Sequence, residues 1–65
     1  MKYKAGDLIE DLESDDFYIL QEAENEDWDG KVCLTWYALS TRNGNPVWLT
    51  EDAMNKYMRK VSSHA

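Results

Sequence analysis

Any chemistry on this chain would have to come from very few residue types. Its 65 residues include one cysteine, Cys33, and one histidine, His64. Nucleophilic catalysis needs a base within hydrogen-bond reach of the nucleophile. Cys33 sits in an apolar, β-branched run with no histidine near it in sequence. A cysteine in such a strand behaves as a small hydrophobe. No Gly-rich phosphate loop and no Cys/His metal pattern occurs. Carboxylates are plentiful, but nothing in the pattern marks a pair of them as buried. The chain reads as non-enzymatic, with no cofactor and no metal.

One stretch does have ligand-like spacing. Asn25-x-Asp27-x-Asp29-Gly30 matches the first half of a calcium loop, with oxygen ligands at alternate positions and glycine sixth. The position that should hold a bidentate glutamate is Trp36. No helix pattern flanks the stretch. Residues 25–31 therefore read as a solvated polar loop. Trp28 is either folded back onto the domain or displayed there as a contact residue.

Binding chemistry is better supplied by aromatics. Three Trp, four Tyr and one Phe are a rich supply for so short a chain. Trp and Tyr give large contact area at low entropic cost and dominate binding hot spots. Trp48 and Tyr37, with Leu39, are the leading candidates, because one hairpin would place them together. A smaller group, Lys56, Tyr57, Arg59 and Lys60, interleaves cations with an aromatic. That pattern suits phosphate contacts, but it equally suits offsetting acids elsewhere.

The element that positions these residues is a hairpin over residues 32–50. Two runs rich in β-branched and aromatic residues flank Asn43-Gly44. Asn-Gly tolerates the two positive φ values of a type I′ turn. A two-residue loop there sets Ser40 opposite Val47, Leu39 opposite Trp48 and Ala38 opposite Leu49. Side chains alternate across a strand. One face then carries Val32, Leu34, Trp36, Ala38, Val47 and Leu49, and reads as the core. The other carries Cys33, Thr35, Tyr37, Leu39, Trp48 and Thr50. A longer turn taking in Arg42 or Pro46 is the alternative, and a one-residue slip would exchange the faces. The outer face is open for binding unless the N-terminal lead-in covers it, with Tyr3 on Trp48. Pro46 donates no ladder hydrogen bond, so it belongs at a strand start or an edge.

The rest of the chain supplies short elements. Lys2-Tyr3-Lys4 reads as an extended lead-in and Gly6-Asp7 as a turn. Residues 8–13 form a first strand whose buried side the pattern leaves open. Ser14-Asp15-Asp16 is a turn. Residues 17–24 form a second strand that leaves the core as it proceeds. Thr50 is a good N-cap, with Glu51 and Asp52 in the first turn. Ala53, Met54, Tyr57 and Met58 recur near helical spacing. Residues 59–61 form a last strand. The domain spans residues 1–61, and residues 62–65 form a flexible tail.

Composition bounds the setting. A chain of this length buries only ~60% of the surface its unfolded form exposes, so its core is small. One cysteine allows no intrachain disulfide, which fits a reducing compartment. Nothing approaches the ~18 apolar residues of a membrane span. The opening MKYKAGDLIEDLE lacks the apolar segment of a signal peptide. The expected location is the cytoplasm. Residues 1–30 carry eleven acids against Lys2 and Lys4, and residues 31–65 carry five bases against Glu51 and Asp52. The halves net −9 and +3 of the total −6. Such a field repels a phosphate backbone and favours basic partners, though it also serves plain solubility.

Five short strands with one helical turn before the last are the element order of an SH3-like barrel. The opening KYKAGDLIED resembles the G-D-x-V/I start of KOW- and Tudor-like small barrels. The ending VWLTEDAMNKYMRKV resembles the close of small SH3-like proteins, of a kind common among phage and bacterial proteins. The resemblance implies a mainly β, five-stranded SH3-like barrel. It also implies a module that binds peptide, RNA or protein. The reading that follows is a non-catalytic, acidic interaction module, in phage an accessory or inhibitory protein acting on a host factor. It would bind a protein with a basic surface through Trp48, Tyr37, Leu39 and Trp28, steered by Asp27 and Asp29. The alternatives are a nucleic-acid mimic, or a KOW-like RNA binder, which the net charge disfavours. Membrane association is not expected, and both a monomer and a homodimer fit.

Overall fold

The computed structural model describes residues 3–62. In chain order the elements are β1 (Leu8–Asp11), β2 (Phe17–Trp28), β3 (Lys31–Ser40), β4 (Pro46–Thr50), α1 (Glu51–Tyr57) and β5 (Met58–Ser62). The strands form one antiparallel sheet in the order β4-β3-β2-β1-β5. The mainly β class, the five strands and the single short helix before the last strand agree with the sequence reading. Ser62, expected in the tail, is the last residue of β5. The rest of that tail, His64 included, and Lys2 of the lead-in lie outside the described residues.

Two turns differ from the leading expectation, and at Asn43-Gly44 the alternative forms, a longer turn that takes in Arg42. Residues 25–31 are not a loop. β2 runs on to Trp28, which pairs with Lys31. The chain reverses over Asp29 and Gly30, with φ of 52° and 78°. Both are positive, as a type I′ turn requires. At Asn43-Gly44 only Gly44 has positive φ, 72°. There the Ser40 carbonyl accepts from the Gly44 N–H at 2.8 Å, and the Ser40 N–H donates to the Asn45 carbonyl at 2.9 Å. The loop therefore spans residues 41–44. Side chains hold it open: Ser40 Oγ accepts from the Arg42 N–H, and Asn43 Oδ1 from the Asn45 N–H.

The wider loop moves the register by two residues. Tyr37, not Leu39, stands opposite Trp48, and Ala38 opposite Val47, not Leu49. A shift of two preserves the alternation of faces, so the division into core and outer faces holds. Pro46 opens β4, an edge strand, where its missing N–H is harmless.

The core is built on the first of those faces. Trp36 and Ala38 of β3, Leu20 of β2 and Ile9 of β1 are buried together with Met54 of α1 and Tyr3. Ile9 settles the side of β1 that faces inward. Tyr3 does not cover Trp48; it joins this core, and its hydroxyl donates to Asn55 Oδ1 at 3.0 Å. The lead-in is tied to β2 by two backbone bonds, Gly6 N–H to the Leu20 carbonyl and Leu20 N–H to the Asp7 carbonyl. Asp7 is fully buried. Its Oδ2 accepts from the Lys4 N–H at 2.9 Å and lies 3.8 Å from Lys60 Nζ. Thr50 caps α1, its Oγ1 accepting from the Ala53 N–H at 3.2 Å. Val32 belongs to the core face yet is 67% exposed, because the hairpin tip projects beyond the elements that cover the core.

Two outcomes follow from this packing. Met54→Ala should destabilise the domain by about 2–5 kcal/mol, whereas Lys56→Ala on the same helix should stay within about 0.5 kcal/mol. Urea unfolding measures both, and equal effects would refute the core assignment. Burial, with Glu51 nearby, raises the Tyr3 pKa above its ordinary 10.0. Burial, then Asp16 and Asp11, raise that of Tyr18, against the opposing pull of Arg42. The unfolded chain ionises these phenols first. The stability they contribute is full below pH 10 and is lost as pH rises through the raised values. Phenolate absorbance should show late steps that Tyr3→Phe and Tyr18→Phe each remove.

Candidate functional site

The outer face is organised by cross-strand pairs. Leu8 of β1, Ile19 of β2, Leu39 of β3 and Pro46 of β4 stand in one row across four strands. The next row is Glu22, Tyr37 and Trp48, and the one after it Glu24, Thr35 and Thr50. Glu26 follows, opposite Cys33. An apolar row thus borders an aromatic pair, and a line of three carboxylates runs beside both.

The glutamates are on this face because of one residue. The β2–β3 register shifts between Leu20 and Glu22, which leaves Gln21 as a bulge. Alternation counted from buried Leu20 would turn Glu22, Glu24 and Glu26 toward the core side. The extra residue reverses the phase. Ala23 turns inward and packs against the core, and the three glutamates turn outward.

Tyr37 and Trp48 are in contact, with ring centroids 5.1 Å apart and planes tilted by 57°. Trp48 remains 56% exposed. A depression beside it is lined by Glu26, Thr35, Trp48 and Thr50. Thr35 is only 3% exposed, and its Oγ1 has no hydrogen-bond partner among the described residues.

Charge elsewhere on the sheet is paired. Arg59 reaches Glu10 Oε1 with both Nη2 (2.7 Å) and Nε (3.2 Å). Arg42 Nη2 lies 2.7 Å from Asp16 Oδ1, and Lys60 lies beside Asp7. Three of the bases are thus engaged by acids of the N-terminal half. Among the described residues, Glu22, Glu24 and Glu26 form no ion pair.

Of the six candidate residues, the structure joins three. Tyr37 and Trp48 touch, and Leu39 shares their face one row away. Asp27 is part of strand β2 and stands opposite Val32, on the other face of the hairpin. Asp29 occupies the turn. The Trp28 backbone ends β2, while its side chain lies outside the described residues. The calcium-loop spacing does not become a site. Alternate residues of a strand stand about 7 Å apart along a line, whereas a calcium ion gathers its ligands around one point. No group of three or more potential metal ligands occurs among the described residues. Glu22, Glu24, Glu26, Thr35 and Thr50 were not among the candidates. The alternation Glu22-x-Glu24-x-Glu26 is their signal once the segment is read as strand.

Comparison with known protein families, curated sequences and solved structures returns no match. Among the described residues, no helix is long and apolar enough to cross a membrane.

The aromatic contact should be measurable. A double-mutant cycle of Tyr37→Leu and Trp48→Leu should give a coupling of about 0.5–1.5 kcal/mol in chemical unfolding. Strictly additive effects would show that the two rings stand together without stabilising each other.

Proposed function

We propose that this chain is a small SH3-like, non-catalytic interaction module that binds a protein with a basic surface through the outer face of its sheet. The observation that carries this reading is the half-exposed Trp48, in tilted contact with Tyr37 beside three carboxylates that form no ion pair among the described residues. Exposed aromatics supply the contact area, and the glutamates supply steering and register for cations of the partner. The strand order and the helix before the last strand support the SH3-like assignment. An accessory or inhibitory protein acting on a larger machine, as in phage, is the role the family resemblance suggests.

The second reading is a nucleic-acid mimic. Its support is the straight line of Glu22, Glu24 and Glu26, repeating about every 7 Å along β2 like a row of phosphates. It leaves Trp48 and Tyr37 without a role, so it ranks second. Direct RNA binding ranks third, because Arg59, Lys60 and Arg42 are engaged by acids and the net charge is −6.

Affinity capture with wild type and Trp48→Ala, each at low and high salt, separates these readings. The expected result is a partner that survives high salt with wild type and is reduced about tenfold or more by Trp48→Ala, as for a buried hot spot. A partner kept by Trp48→Ala but lost at high salt would replace the module with the mimic.

A further inference from the structure

We infer that the free edge of β2 over residues 22–28 is a docking edge, on which an extended basic segment of the partner protein adds as a further strand. This deepens the interaction reading above, since it states how the basic partner is held.

β2 is far longer than its neighbour. It pairs with β1 only from Phe17 to Ile19, and Leu20 then bonds the Gly6–Asp7 backbone. Beyond the bulge it pairs, among the described residues, with β3 alone. The two-residue turn makes Trp28 and Lys31 a hydrogen-bonded pair. Alternation in an antiparallel ladder then turns the backbone groups of Glu26, Glu24 and Glu22 toward β3. The N–H and C=O groups of Asp27, Asn25 and Ala23 point away from it. Among the described residues, no turn or loop backbone bond reaches these three. A row of unpaired donors and acceptors at a sheet edge is a template for an added strand.

Charge chooses the occupant. The side chains that an added strand sets opposite Glu22, Glu24 and Glu26 share the outer face with them. Opposite charges in such cross-strand pairs attract, and like charges repel. A second copy of this chain is unsuitable. Two-fold antiparallel pairing centred on Glu24 sets Glu24 against Glu24 and Glu22 against Glu26. The occupant is therefore an extended segment of another protein, with Lys or Arg at alternate positions and small or apolar residues between them. The other free edges are poorer hosts. β4 is five residues long and begins with Pro46, the β3 tip lies beside Glu51 and Asp52 of α1, and β5 is five residues long and carries Arg59 and Lys60, which repel a basic segment.

The test uses the full chain and a synthetic peptide alternating lysine with threonine and valine. Its control is the same peptide with alternate backbone nitrogens methylated. Hydrogen exchange of the amides is followed by NMR. Saturating peptide should slow exchange of the Ala23, Asn25 and Asp27 amides about tenfold or more, while the methylated peptide should not. Asn25→Pro removes one outward N–H and no bond to β3, so it should weaken binding about tenfold. Failure of the peptide to bind, binding with those three amides still unprotected, or a folded Asn25→Pro variant that binds like wild type would each overturn the docking edge. If Asn25→Pro does not fold, the wild-type exchange result decides alone. Trp48→Ala separates the two proposals. Binding lost with Trp48→Ala but kept with Asn25→Pro overturns the edge and leaves the aromatic face standing. The converse supports the edge and removes the aromatic face.

Discussion

A strand must alternate its side chains, and β2 has to satisfy two different alternations in one run of twelve residues. Its first part must send Leu20 into the core. Its second part carries three glutamates that no core of this size could hold without partners. The bulge at Gln21 reconciles them by shifting the phase once. Ala23 is thereby returned to the core side, and every later acid at an even position is delivered to the outer face. The composition of that face, and the line of charge beside Trp48, both depend on this single extra residue.

The core that this hairpin serves is small, and the chain closes it with elements from both ends. Tyr3 comes from the lead-in and Met54 from a helix of two turns, and each is nearly or fully buried. The lead-in is held by backbone bonds between residues 6–7 and Leu20, and by the buried Asp7 carboxylate on the Lys4 N–H. Only the part of the hairpin beneath these elements is buried. Its far end, with Val32 exposed, projects as a two-stranded ribbon. Two-stranded ribbons are marginal on their own, so this one gains most from a third strand or a partner surface.

Charge is distributed to the same end. The bases at residues 42, 59 and 60 are set against Asp16, Glu10 and Asp7, which ties the C-terminal strand and the hairpin loop to the acidic N-terminal half. The Arg42 and Arg59 pairs, whose guanidinium groups are exposed, contribute little to stability. Their larger consequence is that the remaining negative field concentrates on β2, where Glu22, Glu24 and Glu26 form no ion pair among the described residues. An aromatic pair for contact area and a one-signed ladder for steering then lie on one surface.

Much of the architecture was legible from the residues alone, because it rests on local rules. The apolar alternation of the third and fourth strands, the Thr50 cap, the placement of Pro46 and the helix before the last strand follow from periodicity, side-chain hydrogen bonding and missing donors. The placement of Tyr37 and Trp48 on one face followed too, and it survived an error of two residues in register because faces repeat every two. What tertiary structure decided was phase and cover. Asn43-Gly44 and Asp29-Gly30 are both able to form a tight turn; side-chain bonds from Ser40 and Asn43 opened the first, and the long β2–β3 pairing closed the second. The Gln21 bulge arises from the competition between Leu20 and Ala23 for the core, which no window of sequence displays. Tyr3 was free to cover either face of the sheet. It lies in the core, its lead-in held by the bonds of the Gly6–Asp7 backbone to Leu20 and its hydroxyl by Asn55, and Trp48 stays open.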